Sequence, residues 1–251
     1  MMIDAHVHLP AGAEFRSLQA KKERLLQEMK KNHLDKCIVI SDSYLNSEIG
    51  TMEECVTLFK DTDRVSVVGG ISPFAEFSAQ LERMRKYLEQ RQIVGIKLFT
   101  GHEKFYLTDE RLENVYDLAI QYDVPVLFHS GWDNSQYSDV DVVEAVLQKY
   151  PTLKLVCCHC FYPHIDKGIQ LIKYPNLYFD ISSVADDEEM LEQMRMQIMR
   201  LICLVPDRVL FGSDAFGCSM EEHIEFINGM ALSHDLKQKV FSENARRLYR
   251  L

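Results

Sequence analysis

Eight short apolar runs rich in β-branched residues, at 3–8, 37–41, 65–71, 94–99, 125–130, 153–160, 177–182 and 209–213, alternate with longer amphipathic segments. Such alternation restricts a chain to a parallel sheet covered by helices. Eight strands, each followed by a helix, predict an α/β fold: a (β/α)8 TIM barrel of one domain spanning 1–251. An open doubly wound sheet usually has fewer strands and a Gly-rich first turn, and no GxGxxG follows any of these runs. Helices are expected at 16–33, 51–60, 75–91, 110–122, 138–150, 166–174, 186–204 and 220–232, and a last amphipathic segment, 236–249, closes the fold. In 110–122, Leu112, Val115, Tyr116 and Ala119 fall at i, i+3, i+4 and i+7, which gives one apolar face to lay against the barrel. A chain of 251 residues, 47% of them hydrophobic, suffices for so large a core.

The net charge of −10 argues against nucleic acid and anionic membrane as partners, because both attract a positive field. The amino terminus has no basic stretch leading into an apolar one, so no signal peptide is expected there, and no apolar run reaches the length of a membrane span. The seven cysteines lack framework spacing, and Cys157, Cys158 and Cys160 lie inside an apolar run. They are read as reduced core thiols of a cytoplasmic protein.

Chemistry concentrates at strand ends. Asp4, His6 and His8 lie two apart in the first strand, a spacing that aims all three side chains at one face and lets two imidazoles converge. With nine histidines in the chain, roughly 0.3 such pairs would arise by chance, so the spacing alone decides little. Position decides more: His129, His159 and Asp214 close the fifth, sixth and eighth strands, and the carboxyl ends of barrel strands form the active face. Histidine and carboxylate donors without thiolate suit a divalent ion, Zn2+ first, with Mn2+, Fe2+ and Co2+ as alternatives. An ion with an open coordination position acidifies water and polarises a carbonyl.

Asp4-Ala5-His6-Val7-His8, Val94-Gly95-Ile96-Lys97-Leu98, Phe128-His129-Ser130-Gly131, Phe211-Gly212-Ser213-Asp214 and Asn244-Ala245-Arg246-Arg247-Leu248 together resemble the amidohydrolase superfamily. The nearest match is its amidohydrolase-related branch, which includes the aminocarboxymuconate semialdehyde decarboxylase-like enzymes. The resemblance runs through the whole chain. It implies a metal site held by His6, His8, His129 and Asp214, with His159 binding a second metal or, in a mononuclear enzyme, polarising substrate or shuttling a proton. Lys97 falls where binuclear members carry a carboxylated lysine bridging two metals; otherwise it pairs with a substrate carboxylate or a nearby acid. TatD-like nucleases would show Glu on this strand, so Lys97 and the acidic net charge count against a nuclease.

The resulting expectation is a metal-dependent hydrolase acting through metal-activated water on a small, anionic substrate, with Asp214 and His159 as catalytic residues. A nonoxidative carboxy-lyase is the alternative, and a noncatalytic metal-binding barrel is the third. Asp4 is expected to be a structural or orienting partner of the histidines, and Asp180 a weaker candidate for that role. His102, Trp132, Tyr162 and Phe216 fall on active-face loops as candidate pocket residues, while His33, His164, His223 and His234 are expected on the surface or at helix caps. Loops are brief except 42–50, 100–109 and 132–140, so the pocket is expected to be open or completed by a second copy in a homodimer.

Overall fold

The computed structural model describes the chain apart from residues 13, 16 and 44–46 and the side chains of 133–135. The expected helix start at residue 16 and the middle of the 42–50 loop therefore lie outside the described residues. Eight strands run parallel in sequence order: β1 (Ile3–Val7), β2 (Lys36–Ile40), β3 (Val65–Gly70), β4 (Gly95–Leu98), β5 (Val126–His129), β6 (Leu155–Cys158), β7 (Leu177–Asp180) and β8 (Val209–Leu210). Helices α1 (Leu18–Lys31), α2 (Met52–Phe59), α3 (Phe77–Glu89), α4 (Glu113–Tyr122), α5 (Val140–Lys149), α6 (Ile165–Gln170), α7 (Leu191–Leu204) and α8 (Met220–Asn228) follow the strands in turn. After them come α9 (His234–Gln238), a π-helical turn over Lys239–Glu243, and α10 (Asn244–Tyr249). The architecture is the (β/α)8 barrel that the eightfold alternation predicts.

Local chemistry explains the boundaries. Thr51 and Glu54 form a reciprocal capping box at the start of α2, and Ser17, Asp139 and Ser219 side chains cap α1, α5 and α8. The helix expected from 186 begins only at Leu191. Asp187 accepts the backbone N–H of Glu189 at 2.9 Å, an alternative to helical pairing that holds 186–190 as a loop. The expected 132–140 loop is mostly a 3-10 helical stretch, Trp132–Ser138.

Two apolar layers result. Ile3, Ala5, Ile38, Ile40, Leu127, Val156 and Leu210 fill the barrel, floored by Leu248 and Tyr249 of α10. A larger layer joins the outer strand faces, such as Val39, Val67 and Phe128, to Leu25, Val115, Val143 and Ile198 of the surrounding helices. Strands buried on both faces are what parallel barrels require.

Closure between β1 and β8 differs from the other joints. Ala5 N donates to Phe211 O at 2.9 Å, Asp214 N to His6 O at 2.8 Å and His8 N to Ala215 O at 2.6 Å. The Asp4 carboxylate adds Ser213 N at 3.0 Å and Ser213 Oγ at 2.5 Å. From below, Asn244 Nδ2 donates to the carbonyls of Pro206 and Val209 at 2.8 and 2.7 Å. The closing Asn244 motif thus has a structural role, because it clamps the segment entering β8.

Asn244→Ala should leave those carbonyls unpaired in a buried position and cost about 2–3 kcal/mol. In thermal unfolding followed by circular dichroism this corresponds to a Tm lower by roughly 5–10 °C. An unchanged Tm would remove Asn244 from the closure.

Candidate metal centre

The first strand does not alternate as its spacing suggests. Its register with β2 runs Ile3↔Lys36 and Asp4↔Cys37 but then Val7↔Val39, one residue more on β1 than on β2, a bulge. Ile3 and Ala5 point into the barrel filling, while Cys37, the partner of Asp4, belongs to the outer layer. Asp4 therefore does not share the face of His6 and His8, contrary to the period-two expectation. Its Oδ1 accepts His6 N at 3.1 Å and so fastens the bulge. Burial pushes the Asp4 carboxyl up to about 7, even though hydrogen bonds from Ser213 and His6 oppose the shift.

Beyond the bulge, His6 and His8 meet Asp214. His6 Nε2 and His8 Nε2 lie 3.4 and 3.3 Å from Asp214 Oδ1, and donor atoms of all three lie within 4.8 Å of one another. The other nitrogen of each ring fixes its tautomer. His8 Nδ1 donates to the Ile40 carbonyl at 3.0 Å, and His6 Nδ1 donates to Asp180 Oδ2 at 2.5 Å. Asp180, and not Asp4, is thus the carboxylate that orients a histidine. Gly212 makes room for this pair, since a Cβ there would stand 2.5 Å from Asp180 Oδ1 and 2.8 Å from His6 Cβ.

With Nδ1 protonated, each Nε2 presents a lone pair to a carboxylate oxygen. Such an arrangement is repulsive unless a cation lies between the donors. His6 Nε2 is fully buried and has no hydrogen-bond partner among the described residues, an arrangement that otherwise costs free energy. Burial lowers the His6 pKa despite the neighbouring carboxylates, so the ring stays neutral and able to bind metal. The Asp214 carboxyl is held well below its ordinary value in spite of burial, which acts to raise it. The donors fit a divalent cation.

His159 adjoins this group, its ring 5.0 Å from His6. Its Nδ1 meets Ser182 O at 3.2 Å and Ser182 Oγ at 2.9 Å, so Nε2 again carries the lone pair; desolvation takes its pKa down to about 3. His129 lies outside the three-donor group. Its ring contacts His102 at 4.2 Å, His159 at 4.9 Å and Trp132 in a stack at 5.5 Å, and among the described residues its ring nitrogens take no hydrogen bond. Lys97 is buried inside the barrel, where its Nζ meets Cys158 Sγ at 3.1 Å and makes no ion pair among the described residues.

Two cavities flank the group. One of about 420 Å³ opens over His8 and Asp214 between Phe99, His102 and Phe216. The other, about 670 Å³, opens beside Trp132, Tyr162 and Ser183, with Asp186 and Asp187 on its wall. Backbone in the left-handed region gathers around them at Trp132, His159, Cys160, Phe161, Ser183 and Asp214. Each such non-glycine residue costs on the order of 1–3 kcal/mol, and such residues cluster at functional sites. Gly131, at φ 93°, could hold no Cβ, which would fall 2.5 Å from Tyr162 O.

Some expectations change. His33, His164 and His234 are exposed, but His223 is buried, donating from Nδ1 to Ser219 O at 2.8 Å. Five cysteines are core thiols; Cys203 is exposed and Cys218 half-buried. Ser182, Ser183, Ser213 and Cys158 enter the site without any spacing signal, because their partners are remote in sequence.

The amidohydrolase family model matches residues 3–251. The chain belongs to the amidohydrolase family. No curated protein matches it. Among solved structures, a probable 2-pyrone-4,6-dicarboxylic acid hydrolase from Acinetobacter baumannii, with citric acid bound, is 12% identical at a TM-score of 0.77, covering 100% of this chain and 99% of that one. A 4-oxalomesaconate hydratase from Rhodopseudomonas palustris is 18% identical at 0.70, covering 100% and 96%. A dihydroxybenzoic acid decarboxylase from a Polaromonas species, with bound manganese, is 13% identical at 0.70, covering 99% and 96%. At these identities the likeness is one of fold. No helix among the described residues is long and apolar enough to cross a membrane.

Elemental analysis of chain purified without chelator should find at least one divalent ion, lost in the His6→Ala/His8→Ala double variant. Asp180→Ala should bind the ion about 10–100-fold more weakly, the usual effect of removing an orienting partner. Equal metal content in wild type and double variant would sink the centre.

Proposed function

We propose that this amidohydrolase is a metal-dependent hydrolase of a small molecule, its cation held by His6, His8 and Asp214 with His129 as a further donor. The convergence of two imidazole lone pairs on one carboxylate oxygen carries the proposal. The donor set favours Zn2+, with Mn2+ or Fe2+ as alternatives. When bound, such an ion supplies the Lewis acidity that polarises a carbonyl and acidifies water.

The protein groups divide the remaining work. Asp214, whose carboxyl is held well below its ordinary value, takes the proton of the attacking water and returns it to the leaving group. His159 is kept neutral by burial, and its Nδ1 contacts leave Nε2 to accept a hydrogen bond from substrate and orient it. Phe99 and Phe216 give one side of the site apolar surface for substrate to lie against. Lys97 is buried with Cys158 as its partner, and Lys167, the one Lys or Arg on the described walls of the two cavities, is held by both oxygens of Asp139 at 2.9 and 3.0 Å. A negative charge on the substrate would therefore be met by the cation rather than by a side chain. A second copy of the chain as partner is part of the proposal.

A nonoxidative carboxy-lyase is the second assignment, favoured by the decarboxylase among the structural neighbours. There the same cation would hold the substrate, and Asp214 or His159 would deliver a proton to the carbon that loses carboxylate.

In a panel of small lactones, amides and hydroxylated aromatic acids, Asp214→Asn should cut turnover by about 10²–10⁴-fold while the circular dichroism spectrum is retained. Heavy-oxygen water should label the product of the hydrolase. Release of CO2 with no solvent oxygen incorporated decides for the lyase, and an undiminished rate in the variant removes Asp214 from either mechanism.

A further inference from the structure

The two oxygens of Asp214 have different neighbours. Oδ1 faces the imidazole pair, whereas Oδ2 accepts a hydrogen bond from Ser183 Oγ at 2.8 Å. We propose that Ser183 is a positioning residue for the metal centre: its hydroxyl holds Oδ2 and thereby turns Oδ1 toward the cation. The assignment rests on the cation site proposed above.

A carboxylate on a single Cβ turns easily, because its last torsion is broad and roughly two-fold. Unrestrained, Asp214 could offer the cation either oxygen or both. One hydrogen bond from a hydroxyl to an ionised oxygen is charge-assisted and stronger than a neutral one, so it selects among these orientations. Ser183 has a single hydroxyl proton, and its donation to Asp214 leaves only lone pairs for any other contact.

The surroundings keep that hydroxyl in place. Ser183 is 4% exposed and has φ 56°, a conformation rarely adopted by residues other than glycine. It follows Ser182, whose oxygens meet the Nδ1 of His159 and whose Oγ also lies 3.1 Å from His6 Nδ1. One short segment after β7 therefore orients two histidines and the carboxylate. A second link joins the same two loops: Cys218 Sγ donates to Asp186 Oδ2 at 2.5 Å. The β7 loop carries Ser183 and Asp186, and the β8 loop carries Asp214 and Cys218. That cross-link helps to fix the separation on which the Ser183 to Asp214 bond depends.

Ser183→Gly separates positioning from folding, since glycine adopts the left-handed backbone without steric cost but has no hydroxyl. The measurements are the Tm of metal-free protein and the affinities for Zn2+ and Mn2+ by competition with a chromophoric chelator. The expected result is a Tm equal to or above that of wild type, with metal dissociation constants raised about 10–100-fold. Wild-type affinity for both ions in a folded glycine variant overturns the assignment. If the glycine variant does not fold, Ser183→Ala carries the test, since it removes the same hydroxyl while keeping a Cβ: weaker metal binding supports the positioning role, and unchanged binding overturns it. Should wild type itself bind neither ion, the cation site fails first, and the role of Ser183 with it.

Discussion

The joint between β1 and β8 is the constraint on which the molecule depends. A barrel has no free edge only if its first and last strands meet. Here β8 pairs with β7 over two residues and then departs from regular geometry. Closure falls to three backbone hydrogen bonds and to the Asp4 carboxylate, which spans Ser213 on one side and His6 N on the other. Placing a carboxyl in so dry a position is unfavourable, as its elevated pKa reflects, and three donors compensate it.

The candidate metal centre is built from the same joint. His6 and His8 leave one side of it and Asp214 the other, so the distance between the imidazoles and the carboxylate is set by barrel closure rather than by flexible loops. The bulge that Asp4 fastens turns the histidines inward, and Gly212 leaves the space in which Asp180 reaches His6. Each orienting contact falls on Nδ1, so His6, His8 and His159 all present Nε2. A cluster of lone pairs facing an ionised carboxylate is stable only around positive charge. The left-handed residues around the site, of which only Trp132 is exposed, belong to the same pattern, in which the interior holds a few polar groups in otherwise unfavourable positions.

The family supplies a fold and a class of chemistry, not a reaction. Structural neighbours named as a hydrolase, a hydratase and a decarboxylase share the barrel with this chain at 12–18% identity. Differences in outcome must come from which groups line the site of each. In this chain those groups are a neutral His159, an exposed Trp132 stacked on His129, and carboxylates at the mouth with little free positive charge opposite them among the described residues.

The sequence by itself determined the eight-strand barrel, the strand-end positions of His6, His8, His129, His159 and Asp214, and the family. These depend on local periodicity and on short motifs, which are written along the chain. Tertiary structure alone decided that Asp4 closes the barrel while Asp180 orients His6, that His129 stands apart from the three closest donors, and that Lys97 ends beside Cys158. It also decided the parts played by Ser182, Ser183 and Cys218. The reason is physical. A one-residue bulge reverses the alternation on which face assignment rests. The hydrogen bonds that fix a tautomer or a carboxylate join residues remote along the chain, 174 positions apart for His6 and Asp180, and no local pattern encodes such a separation.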